Sequence, residues 1–342
     1  MLRPEAIAFI STLILTPVVR ELCIHWRLFD SVGPLKIHSK AIPRLGGIAI
    51  GLAFSAAMIF PGNLSRPHAW TFFAALILIW TAGLADDIWP LSPILRLTAQ
   101  IGGAMLLWCA GCRLPWLKAA PANLTALCVL TVIFINSFNF LDGSDGLCAG
   151  VAAIIAAAYV MVPAFALSPL GSAVAWSLLG ISAGFLAFNF PPARIFLGDS
   201  GSTLLGFCAA FLAFDFYRAN ALNNRLAALA VPLLMSAVPL LDGILTILRR
   251  LRAGRSPLNG DRRHVYDLML GLDWSPRRVA LTLYALTIAT CVIAWLVLKS
   301  DFRHALLICG AGTSALVVAA IRLGALESTE RKRPPLGMAE SR

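Results

Sequence analysis

The sequence is poor in charge: Asp, Glu, Lys and Arg make up 13% of its 342 residues, while 59% are hydrophobic. A soluble domain carries roughly twice that charge, so the composition excludes one and calls for a polytopic membrane protein. No small-x-small cleavage pattern follows the first apolar run, and the Arg3 ahead of it is offset by Glu5. That run therefore reads as a retained helix rather than a removed signal peptide. No internal repeat is visible, although many ion-coupled transporters are built from one. No soluble basic domain accompanies the net charge of +11, so nucleic acid is not an expected partner. Cys109 and Cys112 form a CxxC without a second pair, and the eight cysteines are scattered, mostly inside apolar segments. They read as buried small residues or an incidental outer disulfide rather than a metal site.

What is present is a series of apolar runs at about 5–25, 45–62, 69–85, 95–111, 122–140, 147–164, 171–189, 201–217, 226–248, 279–298 and 305–322. Each is long enough to span a bilayer, which predicts an all-α bundle of about eleven transmembrane helices. Most of the 28 Lys and Arg fall in the loops after odd-numbered runs and in the tail. The positive-inside rule then places the N-terminus outside and the C-terminus in the cytoplasm. Residues 1–322 form one integral-membrane domain on this reading. Residues 323–342 mix Glu, Lys, Arg and Pro without periodicity and are expected to be a disordered cytoplasmic tail.

The polar residues that remain are concentrated. Asn136-Ser137-Phe138-Asn139-Phe140-Leu141-Asp142-Gly143-Ser144-Asp145-Gly146 stands directly between two apolar runs. An ionisable group at membrane depth costs roughly 2.5–3.5 kcal/mol on insertion scales, so its default meaning is a site. If the preceding run is helical, Asn136 and Asn139 share its last face, and Asp142 and Asp145 continue the spacing. The glycines permit positive φ and close approach of a ligand to the backbone.

Four other stretches fall in loops assigned to the same side by charge. Lys36 and Arg44 precede or enter a Pro-Arg-x-Gly-Gly turn that opens the second helix; they serve topology or capture an anion with the free N–H groups of that helix. Asp86 and Asp87 end the third run, with Arg96 at the head of the fourth. Adjacent carboxylates point to different sides of a helix, so one could bind metal or position a nucleophile while the other holds Arg96. Asp199, bracketed by Gly198 and Gly201, either caps the next helix or supplies a hard oxygen to magnesium. The loop Asp261-Arg262-Arg263-His264-Val265-Tyr266-Asp267 offers cations to a diphosphate, and Asp242 among leucines and isoleucine requires a partner in the bundle interior. Oxygen ligands for magnesium and cations for phosphates in a membrane setting suggest phosphoryl transfer between a soluble nucleotide and a lipid.

N-x-x-N-x-x-D-G-x-D-G-L, the Asp-Asp pair, F-x-G-D-x-G-S and D-R-R-H together resemble the polyprenyl-phosphate N-acetylhexosamine-1-phosphate transferases, glycosyltransferase family 4, over nearly the whole chain. The helix count is similar to the eleven-helix N-acetylglucosamine branch rather than the ten-helix muramoyl-pentapeptide branch. The resemblance implies that undecaprenyl phosphate attacks the β-phosphorus of a UDP-N-acetylhexosamine at the cytoplasmic face of a bacterial inner membrane, releasing UMP. It implies Mg²⁺, or Mn²⁺ in its place, held by Asn139 and Asp199. Asp86 and Asp87 would place or deprotonate the lipid phosphate, Arg96 would contact a phosphate, and Asp142 and Asp145 would shape the nucleotide pocket or support it from behind. Asn136, Lys36, Arg44, Arg262, Arg263 and His264 complete the expected substrate contacts.

The family loop commonly reads His-x-His-His, whereas here it is His264-Val265-Tyr266-Asp267. Arg262, Arg263 and His264 must then carry more of the diphosphate binding. UDP-N-acetylglucosamine is the favoured donor, with a modified N-acetylhexosamine or a muramoyl-pentapeptide donor as alternatives and a secondary transporter as the rival class. The sequence leaves a homodimer open.

Overall fold

A computed structural model describes residues 3–30, 41–60, 62–114, 117–162, 166–220, 225–256 and 263–322. Among them the chain is all-α apart from one short 3-10 turn and two strands of two residues each, Phe29–Asp30 (β1) and Ile42–Pro43 (β2), paired antiparallel. The thirteen α-helices in order are Pro4–His25 (α1), Gly46–Ile59 (α2), Ala69–Ile88 (α3), Pro93–Cys109 (α4), Ala120–Leu141 (α5), Leu147–Val160 (α6), Pro169–Asn189 (α7), Gly198–Asn220 (α8), Arg225–Met235 (α9), Ala237–Arg252 (α10), Val265–Leu270 (α11), Pro276–Lys299 (α12) and Phe302–Arg322 (α13).

Local chemistry sets several starts. Ser92, Ser168 and Ser275 each precede a proline, and their hydroxyls accept from the N–H groups of Leu95, Gly171 and Arg278. A serine cap followed by proline at the first helical position satisfies one orphan donor and removes another.

The centre of the bundle is α8, which is covered along nearly its whole length by α2, α3, α5, α6, α7 and α9. Its first turn tolerates very close neighbours. A Cβ on Gly83 of α3 would lie 2.6 Å from Ser200 Cα, and one on Gly47 of α2 would lie 2.1 Å from Ser200 Oγ. Both helices therefore bring bare backbone against the start of α8. At the other extreme, α13 packs mainly on α12 and leaves most of its surface uncovered.

Seven helices are long and apolar enough to cross a membrane, and eight if α9 and α10 count as one bent span. The eleven apolar runs of the sequence all coincide with helices, but the ninth is not continuous: α9 and α10 meet at Ser236 at 78°. The cause is Pro239, which has no N–H for the Met235 carbonyl four residues earlier. That carbonyl faces the Cys291 thiol instead, 3.9 Å away. Beyond the break, α10 carries Asp242, Thr246, Arg249 and Arg250 on its buried side and Ile244, Leu248 and Leu251 on its exposed side. This polar-in, apolar-out arrangement is that of a helix lying between a polar site and lipid. The α2 and α6 helices have 14 residues each, about 21 Å, less than the ~30 Å hydrocarbon core. All eight cysteines are free, Cys109 exposed and Cys112 buried, so the CxxC forms no disulfide.

The C-terminal ends of α1, α3, α5, α7 and α10 gather with the starts of α2, α8, α11 and α12 at one end of the bundle. The acidic, amide and histidine motifs singled out above, where they fall on described residues, lie at that end, and the CxxC lies at the other.

Candidate active site

The site is built around the exposed backbone of a helix start. The α8 helix opens with three N–H groups that have no partner within the helix, and two acids from other helices take them. Asp87, in the last turn of α3, accepts from Asp199 N at 2.7 Å and Ser200 N at 3.0 Å, and from the Ser200 hydroxyl at 2.5 Å. Asp142, just past α5, accepts from Gly198 N at 3.1 Å. Gly198 is at φ +77, and a Cβ there would come within 2.7 Å of the Asp87 carboxylate. Glycine alone fits this turn without strain. Burial, and then the charges of Asp199 and Asp87, push the Asp142 carboxyl well above the ordinary carboxylate range.

With Asp87 acting as the cap, the Asp199 side chain is released from that task. It lies instead in a cleft together with Asp86, Arg96, Gln100, Asn136, Asn139 and Thr203. Asn139 Nδ2 donates to Asp199 Oδ1 at 2.6 Å and to Ser202 Oγ at 3.0 Å. Asp86 accepts from Arg96 at 3.0 Å and from Leu91 N at 2.6 Å, and the same guanidinium stands 4.0 Å from Asp199. Asn136 donates to Gln100 at 2.7 Å. Ile79, Ala82 and Ala99 give the cleft an apolar wall. The expected divergence of the adjacent acids is observed: Asp86 turns to Arg96 and the cleft, Asp87 to α8.

The donor set suits a magnesium ion in a particular way. Among the described residues no three His, Cys, Asp or Glu side chains form a metal cage. Magnesium, however, is commonly held by one or two carboxylates together with substrate phosphates. Asp199 with the amide of Asn139, beside Asp86, provides such a partial set, and both carboxyls stand near the Arg96 guanidinium. The residues present fit the ion.

A second layer closes over the end of α5. His264 Nδ1 lies 2.7 Å from Asp242 Oδ2, and its ring packs 5.0 Å from Phe140 and 5.6 Å from Tyr266. The Tyr266 hydroxyl sits where a Cβ on Gly143 would be, 1.8 Å from it, so this tyrosine fits only against glycine. Asp267 accepts from His264 N and caps the start of α11. The Arg263 carbonyl accepts from Arg249 at 2.8 Å, and the Arg250 guanidinium lies over Phe140 at 5.2 Å. Lys36 and Arg262 lie outside the described residues.

Asp145 is not in the cleft; it accepts from Ala193 N at 2.9 Å and joins the turn between α5 and α6 to the one before α8. Arg44 is partly exposed near Asp87, with its Nε buried and without a hydrogen-bond partner. The start of α2 does not offer the free N–H groups expected of an anion site. Gly46 N and Gly47 N donate to the carbonyls of Phe196 and Leu197 at 2.9 and 2.7 Å. Those bonds lace the α2 start to the strand-like segment that leads into α8.

Several contributing residues carried little signal. Gln100 stands four residues after Arg96, so helical spacing alone would have placed it on the cleft face. Tyr284 of α12 donates to the Gly146 carbonyl at 2.6 Å from 138 residues away, which no local pattern announces. Asn189 receives Gly146 N and donates to the Ile195 carbonyl, joining the two glycine-rich turns.

Residues 69–217, which hold the cleft, match the family model described as glycosyl transferase family 4. The decaprenyl-phosphate N-acetylglucosaminephosphotransferase of Mycolicibacterium smegmatis is 33% identical over 312 residues, 81% of this chain and 77% of that protein. A probable undecaprenyl-phosphate N-acetylglucosaminyl 1-phosphate transferase of Bacillus subtilis is 27% identical over 305 residues, 86% of this chain and 84% of its own. The undecaprenyl-phosphate alpha-N-acetylglucosaminyl 1-phosphate transferase of Escherichia coli K12 is 25% identical over 317 residues, 86% and 83% of the two chains.

Proposed function

The chain belongs to glycosyl transferase family 4 as a multi-pass membrane phosphoglycosyl transferase, and on that premise we propose that it moves N-acetylglucosamine 1-phosphate from UDP-N-acetylglucosamine to undecaprenyl phosphate. An oxygen of the lipid phosphate attacks the β-phosphorus of the nucleotide sugar. The bond from that phosphorus to the bridging oxygen breaks, UMP leaves with the electron pair, and a lipid-diphospho-sugar remains. The observation that carries this reading is the single cleft in which Asp86, Arg96, Asn139 and Asp199 meet beside Ile79, Ala82 and Ala99. It offers polar groups for phosphates and an apolar wall for the first isoprene units.

Positioning and charge neutralisation dominate phosphoryl transfer, and the residues divide that work. Arg96 neutralises the incoming lipid phosphate, and Asp86 holds the guanidinium in place for it. Asp87 and Asp142 fix the first turn of α8 and with it the Asp199 side chain. Asn139 and Asp199 would hold Mg²⁺, which when bound neutralises the diphosphate. Asn136 and its partner Gln100 line the same wall, Asp145 holds the 190s turn, and Arg263 and His264 approach the nucleotide sugar from the other side, with Arg44 as a further cation at this end; Lys36 and Arg262 are kept as substrate contacts on the sequence alone.

The site lies at the cytoplasmic face, supported by the basic residues in the loops of that end. Trp26, Trp89 and Trp274 stand around it, and Trp70, Trp108 and Trp295 around the opposite end, as interfacial anchors. Residues 1–322 form one domain of eleven crossings with the N-terminus outside, α9 and α10 together making one and α2 and α6 being completed by their flanking turns. Residues 323–342 are a cytoplasmic tail.

The test is UMP release by purified protein supplied with undecaprenyl phosphate, magnesium and a panel of UDP-sugars. Release from UDP-N-acetylglucosamine that requires both lipid and metal, and stops with EDTA, is expected. No release from any donor by protein that melts cooperatively would overturn the reading.

A further inference from the structure

Asp242, at this end of the bundle, commits both of its oxygens to one neighbouring loop. It is 3% exposed, on the polar side of α10. Its Oδ1 accepts from Val265 N at 2.7 Å and its Oδ2 meets His264 Nδ1 at 2.7 Å. Thr246 Oγ1 stands 3.3 Å from the same ring nitrogen. A carboxylate on Nδ1 keeps a proton there and so decides what the other nitrogen can do. The backbone N–H of Asp267 also reaches the His264 side chain, as half of the capping box that opens α11. The ring is gripped as well as tethered, between Phe140 at 5.0 Å and Tyr266 stacked at 5.6 Å and 9°. Phe140 adjoins Asn139, whose amide touches Asp199. The imidazole thus packs on the residue next to Asn139, a lining residue of the cleft.

We propose that Asp242 is a positioning residue for the transfer, fixing the His264 imidazole with its proton on Nδ1 and its Nε2 edge presented to the diphosphate of the nucleotide sugar. This rests on the reading that His264 meets the donor. A second proton on Nε2 makes the ring a charged donor to a diphosphate oxygen, and Asp242 neutralises the resulting imidazolium. The arrangement also accounts for a loop that retains one histidine. Tyr266 has become a wall of the imidazole slot and Asp267 the cap of α11, so one ring held rigidly replaces several.

The experiment is a double-mutant cycle of Asp242→Asn and His264→Asn, read as KM for UDP-N-acetylglucosamine, kcat and melting temperature in detergent. The asparagine at 264 can still donate to Asp242 from the Nδ1 position but has nothing at Nε2. The asparagine at 242 can still accept from Val265 N but carries no charge. Each single variant is expected to raise KM by about 10- to 100-fold, more than it lowers kcat. The double variant is expected to be no worse than His264→Asn alone, because residues acting through one another lose their effects together. A normal KM in His264→Asn would remove the underlying reading. A raised KM there, with a normal KM in Asp242→Asn or with losses that multiply in the double variant, would overturn the positioning role alone. The wild-type enzyme supplies a check that needs no folded variant. Diethylpyrocarbonate should acylate His264 at Nε2, with UDP-N-acetylglucosamine protecting it; modification at Nδ1, or none, would overturn the proposal.

Discussion

The central helix α8 carries an aspartate near each end, and the two have opposite circumstances. Asp199, in the first turn, has a side chain 35% exposed, in contact with the Asn139 amide and near Arg96. Asp215, four turns on, is 1% exposed and closed on itself: Ser168 N donates to it at 2.7 Å and Arg218 at 2.9 Å. It fills the space that Gly171 leaves, where a Cβ would lie 2.0 Å from its carboxylate. An acid in an apolar helix is therefore not a site by virtue of its depth alone. What separates the two is whether the partners are backbone donors and a counter-ion that use up the charge, or side chains around an open cleft that leave it available.

Removing one negative charge from each end is the direct way to break this comparison. Asp199→Asn should lower kcat for UMP release by about 10³-fold or more, on the order of 4 kcal/mol of transition-state stabilisation, at an unchanged melting temperature. Turnover within a few-fold of wild type would disconnect the cleft from the metal and return Asp199 to structure. Asp215→Asn should do the reverse. Its amide still accepts from Ser168 but no longer neutralises Arg218, so about 2 kcal/mol of stability is lost, seen as a lower unfolding midpoint. The folded enzyme should turn over normally, and a loss of kcat without a loss of stability would mean that the two ends communicate through α8.

Asp87 sharpens the contrast because both its oxygens are taken up by the start of α8, beside the cleft. Asp87→Ala strips the start of α8 of its cap and of the charge that favours a helix N-terminus, about 1–2 kcal/mol. Turnover should fall with it, since Asp199 N is one of the groups released. If stability holds while kcat falls to the level of Asp199→Asn, the carboxylate takes part in the chemistry directly and its capping bonds are secondary.

Much of this was readable from residues alone, and the parts that were not share a cause. The apolar runs mark the helices because burial in lipid needs nothing but length and composition. The four motifs were expected at one end because loop charge assigns them all to one side. Their mutual contacts were not readable. Asp87 and Asp199 each suit a cap or a ligand when taken alone, and only the distance from the α3 terminus to the α8 backbone assigns the cap to Asp87. The break between α9 and α10 was signalled by Pro239, but a run that is apolar throughout gives no measure of the 78° bend. Asp242 announced that it needed a partner, and the partner lay 22 residues away in a loop whose path no periodicity encodes.

The smallest effect concerns the two positions where the loop departs from His-x-His-His. Substituting both with histidine, the sequence suggests, would change the choice of sugar; the structure separates them. Asp267 accepts from His264 N and caps α11, so Asp267→His should cost about 1 kcal/mol of stability with little change in donor ranking. Tyr266 touches Gly143 in the turn that follows Asp142 and stacks on His264. Tyr266→His withdraws the hydroxyl from Gly143 and opens that side of the imidazole slot. A several-fold shift in the ratio of kcat/KM between UDP-N-acetylglucosamine and UDP-N-acetylgalactosamine is expected from it, with the magnesium requirement unaltered. Equal losses on both donors would make Tyr266 a support for His264 alone, and a shift produced by Asp267→His instead would mean that the α11 start, rather than the aromatic wall, meets the sugar.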